Sequence, residues 1–411
     1  MKLRALDPLL YPIEEDIIHN ESKFIDHFYD LITDAIQPPY AVSIDGLWGT
    51  GKTTVMKLLQ SKLEEANFPA AWFNPWEYRQ TDSVVLAFLQ VLAEQHKDLI
   101  REMKGSGFKM LRVLLESGID VGLKLITKNN LSLKDIKDGF DSVEKEESLS
   151  FEKYENTIET IKEEFLELTR AISKKHENKP LIIFFDDLDR CLPDDAIQLL
   201  EALKNLFVTK DCPAIFICGI DTHIAKQFIS AHYSGIEEMF SINYFRKIFN
   251  LTISMPFGTN IYDLLLQYIK DQYDWEKEDN KKAEALAKMV YDGGLQAQIY
   301  SLRKYLNIID NFNIFLKFNP GYTFRPDADF IVHLLLLKEA WQPLYEELIQ
   351  GALKNRTANM EKLVYELIRK RDDGNRPSFI KRRFLSAYLG TNSKFTREYL
   401  YQWLAAHPTL A

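Results

Sequence analysis

The feature that most constrains this 411-residue chain is a strand–loop–helix pattern at residues 40–63, YAVSIDGLWGTGKTTVMKLLQSKL. Apolar residues 41–44 predict a short strand, and a helical period begins near Lys52. The segment between them matches G-x-x-x-x-G-K-[ST], a phosphate-binding loop, in the strand-to-helix setting that this pattern requires. Its glycines let successive backbone N–H groups face an anion, and the positive end of the following helix attracts the same charge. A glycine-rich turn that fits by chance is the alternative, but it leaves the flanking strand and helix unexplained. The residues expected to bind nucleotide here are Gly46, Trp48, Gly49, Thr50, Gly51, Lys52, Thr53 and Thr54.

A second apolar strand ends in clustered acids, in LIIFFDDLDRC at residues 181–191. In P-loop enzymes, Lys52 would reach the β- and γ-phosphates, Thr53 would offer its hydroxyl to Mg²⁺, and a strand-end acid would support that ion. Asp186 is therefore the predicted metal carboxylate. Asp187 is predicted to orient the attacking water or accept its proton, unless it is only a capping or loop carboxylate. For Asp189, capping of the helix that begins near Pro193 is an equal alternative.

Composition excludes several other classes of protein. A net charge of −9 argues against a protein that coats nucleic acid along its whole surface. Cys191, Cys212 and Cys218 have no metal-ligand spacing, which favours a reducing, cytoplasmic setting. No apolar stretch is long enough to span a membrane, and residues 108–126 form at most an amphipathic helix, for which peripheral membrane contact is the minor alternative. GTPases commonly select guanine with an N/T-K-x-D loop, and its absence after residue 191 favours ATP over GTP.

Together these motifs resemble the KAP family of P-loop NTPases. The resemblance is carried by DGLWGTGKTT, WFNPWEY at 72–78, FFDDLDRCLPDDAIQLLEALKNLF at 184–207, FICGIDTHIAKQF at 216–228 and YFRKIFNLTISMP at 244–256. It implies a three-layer α/β/α core with a mostly parallel five-stranded sheet, in which an additional strand separates the P-loop strand from the metal-acid strand. Strands are expected at 41–44, 70–73, 181–185, 214–218 and 250–254.

The resemblance also implies further site residues. Asp221 would sense the γ-phosphate or the attacking water, with an ordinary helix N-cap as the alternative. Arg246 lies where related oligomeric ATPases place a trans-acting arginine, and a surface charge pair is its alternative. Arg303 would reach the γ-phosphate from a helical domain. Asp16 and Ile18 would lie against adenine.

The organisation expected along the chain includes a helical insertion and C-terminal helical domains. Residues 1–80 and 181–256 would form the two parts of the NTPase core. Residues 81–180 would be the insertion, with a long helix after an acidic linker at 127–150. Residues 257–317 would form a helical lid, and 318–411 a further helical module.

The last module contains a basic segment, residues 354–383, with ten Lys and Arg against four Asp and Glu. A solvated face or an intersubunit contact is one interpretation of this charge. Binding of nucleic acid or another anionic partner is the other.

The aromatic residues of WFNPWEY predict core packing, although Asn74 or Glu77 could approach the γ-phosphate side.

The functional hypothesis is an Mg²⁺-dependent ATPase that acts as a nucleotide-dependent switch or assembly ATPase, through self-association or a protein partner. The resemblance makes bacterial anti-phage defence a plausible setting. The alternatives are an ATPase stimulated by nucleic acid and a nucleotide-gated scaffold with negligible hydrolysis.

Overall fold

The computed structural model describes residues 23–78, 84–102, 108, 111–112, 114–115, 151–232, 244–255, 261–272, 280–325 and 329–354. Asp16, Ile18, the linker at 127–150 and all but the first residue of the basic segment at 354–383 lie outside these residues. The expectations for them stay predictions.

The described part of the chain begins with alternating helices and strands and continues as helices alone. The strands are β1 (Tyr40–Asp45), β2 (Ala70–Phe73), β3 (Leu181–Phe185), β4 (Ala214–Ile220) and β5 (Leu251–Ser254). The helices that alternate with them are α1 (Phe24–Asp30), α2 (Lys52–Glu65), α3 (Val84–Gln95), α4 (Lys97–Glu102), α5 (Phe151–Lys175), α6 (Pro193–Ala202) and α7 (Thr222–His232). The later helices are α8 (Ile261–Gln272), α9 (Asn280–Gln296), α10 (Leu302–Phe318), α11 (Phe330–Ala340) and α12 (Gln342–Lys354).

The five strands form one sheet in the order β2-β3-β4-β1-β5. Every neighbouring pair is parallel, so all the carboxyl ends lie along one edge of the sheet. Strand β4 separates β1, which leads into the P-loop, from β3, which ends at Asp186. The predicted additional-strand arrangement is therefore confirmed, and each strand lies within two residues of its predicted bounds.

Helices cover both faces of the sheet, because successive side chains of a strand point to opposite faces. In β3, Ile183 and Phe185 belong to the apolar cluster that contains α3, α5 and α6. Their neighbours Ile182 and Phe184 belong to the cluster that contains α1 and α2. All five residues of β3 are buried, as the uninterrupted apolar run predicts for a strand covered on both sides.

The long helix predicted in the insertion is present as α5. Its residues Phe165, Leu168 and Ile172 are fully buried in the core of the sheet domain. This spacing of three and four residues places them on one face of the helix, as the sequence pattern predicts. The long helix therefore packs against the sheet with one apolar face.

The helices after β5 share a separate apolar cluster. It extends from Ile261 in α8 to Ile349 in α12. The expected division at 317/318 between a lid and a further module falls inside this cluster. Among the described residues, α8 to α12 therefore form one helical domain with a common core. No helix in the described ranges is both long enough and apolar enough to cross a bilayer.

Candidate nucleotide and magnesium site

The P-loop connects β1 to α2 at the carboxyl edge of the sheet. Gly49 and Gly51 have φ angles of 80° and 94°, a left-handed conformation that residues with a Cβ rarely adopt. The Gly46 N–H donates to Ile220 O of β4 at 3.2 Å, and the Thr50 N–H donates to Leu47 O at 3.2 Å. These contacts hold the loop in a tight curve in front of the first turn of α2.

The Lys52 side chain is bent back over this loop. Its Nζ lies 2.7 Å from Gly46 O, 3.5 Å from Leu47 O and 3.4 Å from Asp189 Oδ2. The side chain is only 7% exposed. A buried cation in contact with the loop is positioned to attract phosphate groups bound by the loop's backbone amides.

Thr53 and Asp186 meet across the intervening strand β4. The Thr53 side chain lies close enough to the carboxylate of Asp186 to lower its pKa, and that carboxylate accepts the Asp187 N–H at 2.9 Å. A Cβ on Gly219 of β4 would lie 3.0 Å from Asp186 Oδ1, so the glycine makes room for this carboxylate. The sequence reasoning did not identify Gly219, although the glycine in FICGID was a signal.

The environment of Asp186 fits a magnesium ion. Burial is the main reason that the pKa of this carboxyl is raised to about 6, and the negative charge of Asp187 raises it further. A bound cation would offset both effects. Within the described ranges no group of three or more His, Cys, Asp or Glu residues could hold a metal. A hydroxyl and a single carboxylate instead suit Mg²⁺ whose other ligands are phosphate oxygens and water.

Asp187 has a left-handed backbone, with φ at 57°, and its side chain makes no capping hydrogen bond. Its Oδ1 instead lies 2.9 Å from Nε of Arg190. Burial raises the pKa of Asp187, Arg190 opposes that rise, and Lys52 and Arg303 oppose it more weakly. The charges of all three cations therefore act on the carboxylate that the sequence assigns to the attacking water.

Asp189 contacts Lys52 of the P-loop and does not cap the helix that begins at Pro193. Helix α6 has Leu192 at its N-cap position and no side-chain cap, so the capping interpretation of Asp189 is wrong. Its side chain is 3% exposed and pairs with Lys52 instead. The motif spacing gave no indication of this contact, because the two residues are 137 positions apart.

Trp48, at the tip of the P-loop, lies between the sheet domain and the helical domain. The guanidinium groups of Arg190 and Arg303 are 5.5 Å and 5.1 Å from the centre of its ring, within the range of cation–π attraction. Arg303, in the first turn of α10, also donates its backbone N–H to Gly49 O at 3.3 Å. A Cβ on Gly49 would lie only 2.6 Å from Ser301 Oγ. The helical domain thus contacts the P-loop directly.

The remaining predicted site residues have the following positions. Asp221 is buried and accepts backbone N–H groups of His223 and Ile224 at 3.0 and 3.4 Å, which makes it the N-cap of α7. Its role as a sensor stays a prediction. Arg246 precedes β5 with an exposed side chain, and its trans-acting role likewise stays a prediction.

The aromatic residues in β2 and directly after it pack as the sequence predicts. Trp72 stacks on Phe184 with the Lys57 ammonium 3.4 Å from its ring centre, and Tyr78 stacks on Phe73. Asn74 Nδ2 donates to Glu77 Oε1 at 3.1 Å, so these two polar side chains interact with each other beyond the end of β2.

Comparison with known proteins gives one family match and two weaker likenesses. The family model for the KAP family P-loop domain matches residues 21–319. An uncharacterized protein of Methanocaldococcus jannaschii is 26% identical, over 36% of this chain and 88% of that protein. The Aeropyrum pernix Orc1 protein, solved in complex with DNA, aligns with 98% of this chain and 86% of that chain at 14% identity and a TM-score of 0.36. A likeness of that size supports no argument about function.

Proposed function

The chain belongs to the KAP family of P-loop NTPases, and we propose that it is an Mg²⁺-dependent ATPase whose helical domain responds to the bound nucleotide. The observation that carries this proposal is that the Thr53 hydroxyl and the Asp186 carboxylate lie close together, near the buried ammonium of Lys52. The P-loop hydroxyl and the strand-end acid come from opposite sides of β4. Their meeting at one point provides the oxygen ligands that an Mg–nucleotide complex needs.

The proposed mechanism assigns each charged side chain one task. The P-loop amides and Lys52 bind the phosphates, while Thr53 and Asp186 hold Mg²⁺ or its water ligands. When bound, Mg²⁺ would neutralise negative charge on the phosphoryl oxygens. Asp187 would orient the attacking water once its carboxylate turns from Arg190 toward the γ-phosphate.

Arg303 is the proposed link between hydrolysis and the helical domain. Its backbone contacts Gly49, and its guanidinium lies over Trp48 and influences Asp187. A γ-phosphate would offer this cation a charged partner that a diphosphate lacks. The helical domain could then occupy different positions with ATP and with ADP, which is the property that a nucleotide-dependent switch requires. Self-association or binding of a partner protein would follow from that change.

The direct test is phosphate release with Mg-ATP, measured with wild type, Lys52→Ala and Asp187→Asn. We expect Lys52→Ala to lose nucleotide binding, and Asp187→Asn to bind ATP but release phosphate at least about 100-fold more slowly. Lys210→Ala is the matched control, because Lys210 is exposed near the amino end of β4, at the opposite edge of the sheet. Unchanged turnover in Lys52→Ala would refute the assignment of the site. Equally negligible release by wild type and Asp187→Asn would favour the nucleotide-gated scaffold. Competition by GTP in the same assay tests the preference for ATP.

A second candidate function is stimulation by nucleic acid, favoured by the ten Lys and Arg against four Asp and Glu in residues 354–383. Single- and double-stranded DNA and RNA are added to the phosphate-release assay, with Arg382→Glu/Arg383→Glu as the comparison. Stimulation that is lost in this variant and weakens with salt would support the proposal. Equal rates with and without nucleic acid would end it.

The proposed biological setting is defence against phage. Its test compares the efficiency of plating on cells that carry wild type or Lys52→Ala. Equal plating across a panel of phages would argue against this setting and would leave the enzymatic proposal intact.

A further inference from the structure

Lys52 and Asp189 form a buried ion pair inside the P-loop site. Their side chains are 7% and 3% exposed, and Nζ lies 3.4 Å from Oδ2. The other carboxylate oxygen, Oδ1, is buried and has no hydrogen-bond partner in the described part of the chain. Burying a carboxylate with one oxygen unsatisfied is unfavourable. Folding of the turn after β3 does not by itself explain why a carboxylate is buried there with one oxygen unpaired.

The ammonium of Lys52 has no spare donor in this arrangement. A lysine has three N–H groups, and here three acceptors surround it, namely Gly46 O, Leu47 O and Asp189 Oδ2. The contact with Gly46 O, at 2.7 Å, is the shortest. A phosphate oxygen that binds Lys52 must therefore replace one of the two longer contacts. Of those two acceptors only Asp189 carries a charge, so its attraction for Lys52 opposes the exchange most strongly.

The position of Asp189 adds direct repulsion to this competition. A phosphate oxygen in contact with Nζ would lie at most about 6 Å from the Asp189 carboxylate, given Nζ to Oδ2 at 3.4 Å and a charge-assisted bond of about 2.8 Å. Two negative charges at that separation repel strongly enough to change affinity by about tenfold or more at a partly screened site. The repulsion grows with the charge of the ligand and is larger for a triphosphate than for a diphosphate.

We propose that Asp189 is a built-in competitor for Lys52, which weakens nucleotide binding and weakens ATP binding more than ADP binding. The proposal rests on the proposed function, since it concerns the same P-loop site. In this role Asp189 sets the affinity for nucleotide and the ratio of the affinity for ATP to the affinity for ADP. The roles proposed above for Asp186, in metal binding, and for Asp187, in orienting the attacking water, are unchanged.

The test is calorimetric titration of the full chain with ATP and with ADP, in EDTA and without Mg²⁺. Asp189→Asn keeps the shape of the side chain and an acceptor for Lys52 but removes the charge. We expect its Kd for ATP to fall by about tenfold and its Kd for ADP by about threefold or less. Asp211→Asn removes the same charge at an exposed position before β4, where φ is 64° and asparagine is well tolerated. This control should match wild type.

The possible outcomes separate the inference from the proposed function. Wild type that binds ATP, with Asp189→Asn binding no more tightly than Asp211→Asn, overturns the role of Asp189 alone. Equal tightening for ATP and ADP also overturns it. If the folded proteins, Asp189→Asn included, bind neither nucleotide, the inference is overturned, and failure to bind Mg-ATP as well overturns the proposed function with it. If Asp189→Asn does not fold, Asp189→Ala is used, with the same expected tightening and the same contrary results.

A second measurement needs no nucleotide. Lys52→Met should lower Tm, because it leaves Asp189 buried without its counter-ion. Adding Asp189→Asn to Lys52→Met should restore part of that loss, whereas Asp211→Asn should not. Additive changes in Tm for the two substitutions would show that the side chains do not interact and would contradict the proposal.

Discussion

Asp186 should destabilise the protein when no Mg–nucleotide is bound, and replacing it should therefore raise stability. Burial, with the negative charge of Asp187, raises the pKa of Asp186 from its ordinary value of 3.8 to about 6. A change of this size corresponds to about 3 kcal/mol of unfavourable free energy for the ionised form at neutral pH. Asp186→Asn removes the charge, and its side-chain oxygen can still accept the Asp187 N–H.

The sign of the pH dependence follows from the direction of the pKa change. The native carboxyl holds its proton to higher pH than the unfolded one does, so wild type loses stability as pH rises from about 4 to about 6. Above the native pKa the loss is complete. Asp186→Asn should therefore gain up to about 3 kcal/mol over wild type at pH 7.5, and about half of that at pH 5.

Urea unfolding of both proteins in EDTA, at pH 5 and pH 7.5, measures these differences. Asp211→Asn serves as the control for loss of a carboxylate at an exposed site. Two results would refute the claim that the buried charge of Asp186 destabilises the protein when no cation is bound. One is a variant no more stable than wild type at pH 7.5, and the other is a gain in stability that is the same at both pH values. With Mg-ATP added the order should reverse, because only wild type can hold the metal.

The remaining predictions concern the contact between the P-loop and the helical domain. Gly49→Ala should lower the free energy of unfolding by about 1–3 kcal/mol, because φ is 80° and the new Cβ would lie 2.6 Å from Ser301 Oγ. Gly321→Ala is its control, since nothing lies within 4 Å of a Cβ there. Trp48→Ala should cost about 1–2 kcal/mol through loss of two cation–π contacts, and Trp48→Phe less. Urea unfolding measures both, and equal stability of Trp48→Ala and wild type would contradict the second.

Much of the fold could be predicted from short stretches of sequence, because each carries a strong local signal. The run LIIFF has no polar residue and predicts an apolar strand, and an uninterrupted apolar run is typical of a strand that is buried on both faces. The P-loop pattern predicted a glycine-rich curve of the backbone, and Gly49 and Gly51 have the positive φ angles that such a curve uses. The position of β4 between β1 and β3 came from the family resemblance, since strand order cannot be read from the pattern of one strand.

The contacts that could not be predicted join side chains that are distant in the chain. The pairing of Asp189 with Lys52 needs the turn after β3 to fold back over the P-loop, and spacing within DDLDR contains no information about that. Arg190 and Arg303 likewise meet at Trp48 only because α10 contacts the P-loop. The boundary expected at 317/318 reflects a Pro-Gly break in FNPGYTF, but Tyr322 and Phe324 pack against the helical core on the far side of that break.

In the mechanism proposed above, the strand-end acids and the P-loop form one hydrolytic site. The decisive experiment compares single-turnover phosphate release from Mg-ATP between wild type and Asp187→Asn at matched ATP occupancy. We expect release by wild type, and release at least about 100-fold slower by the variant although ATP binding is retained. Equal rates for the two proteins would show that Asp187 has no part in hydrolysis and would refute a shared hydrolytic site.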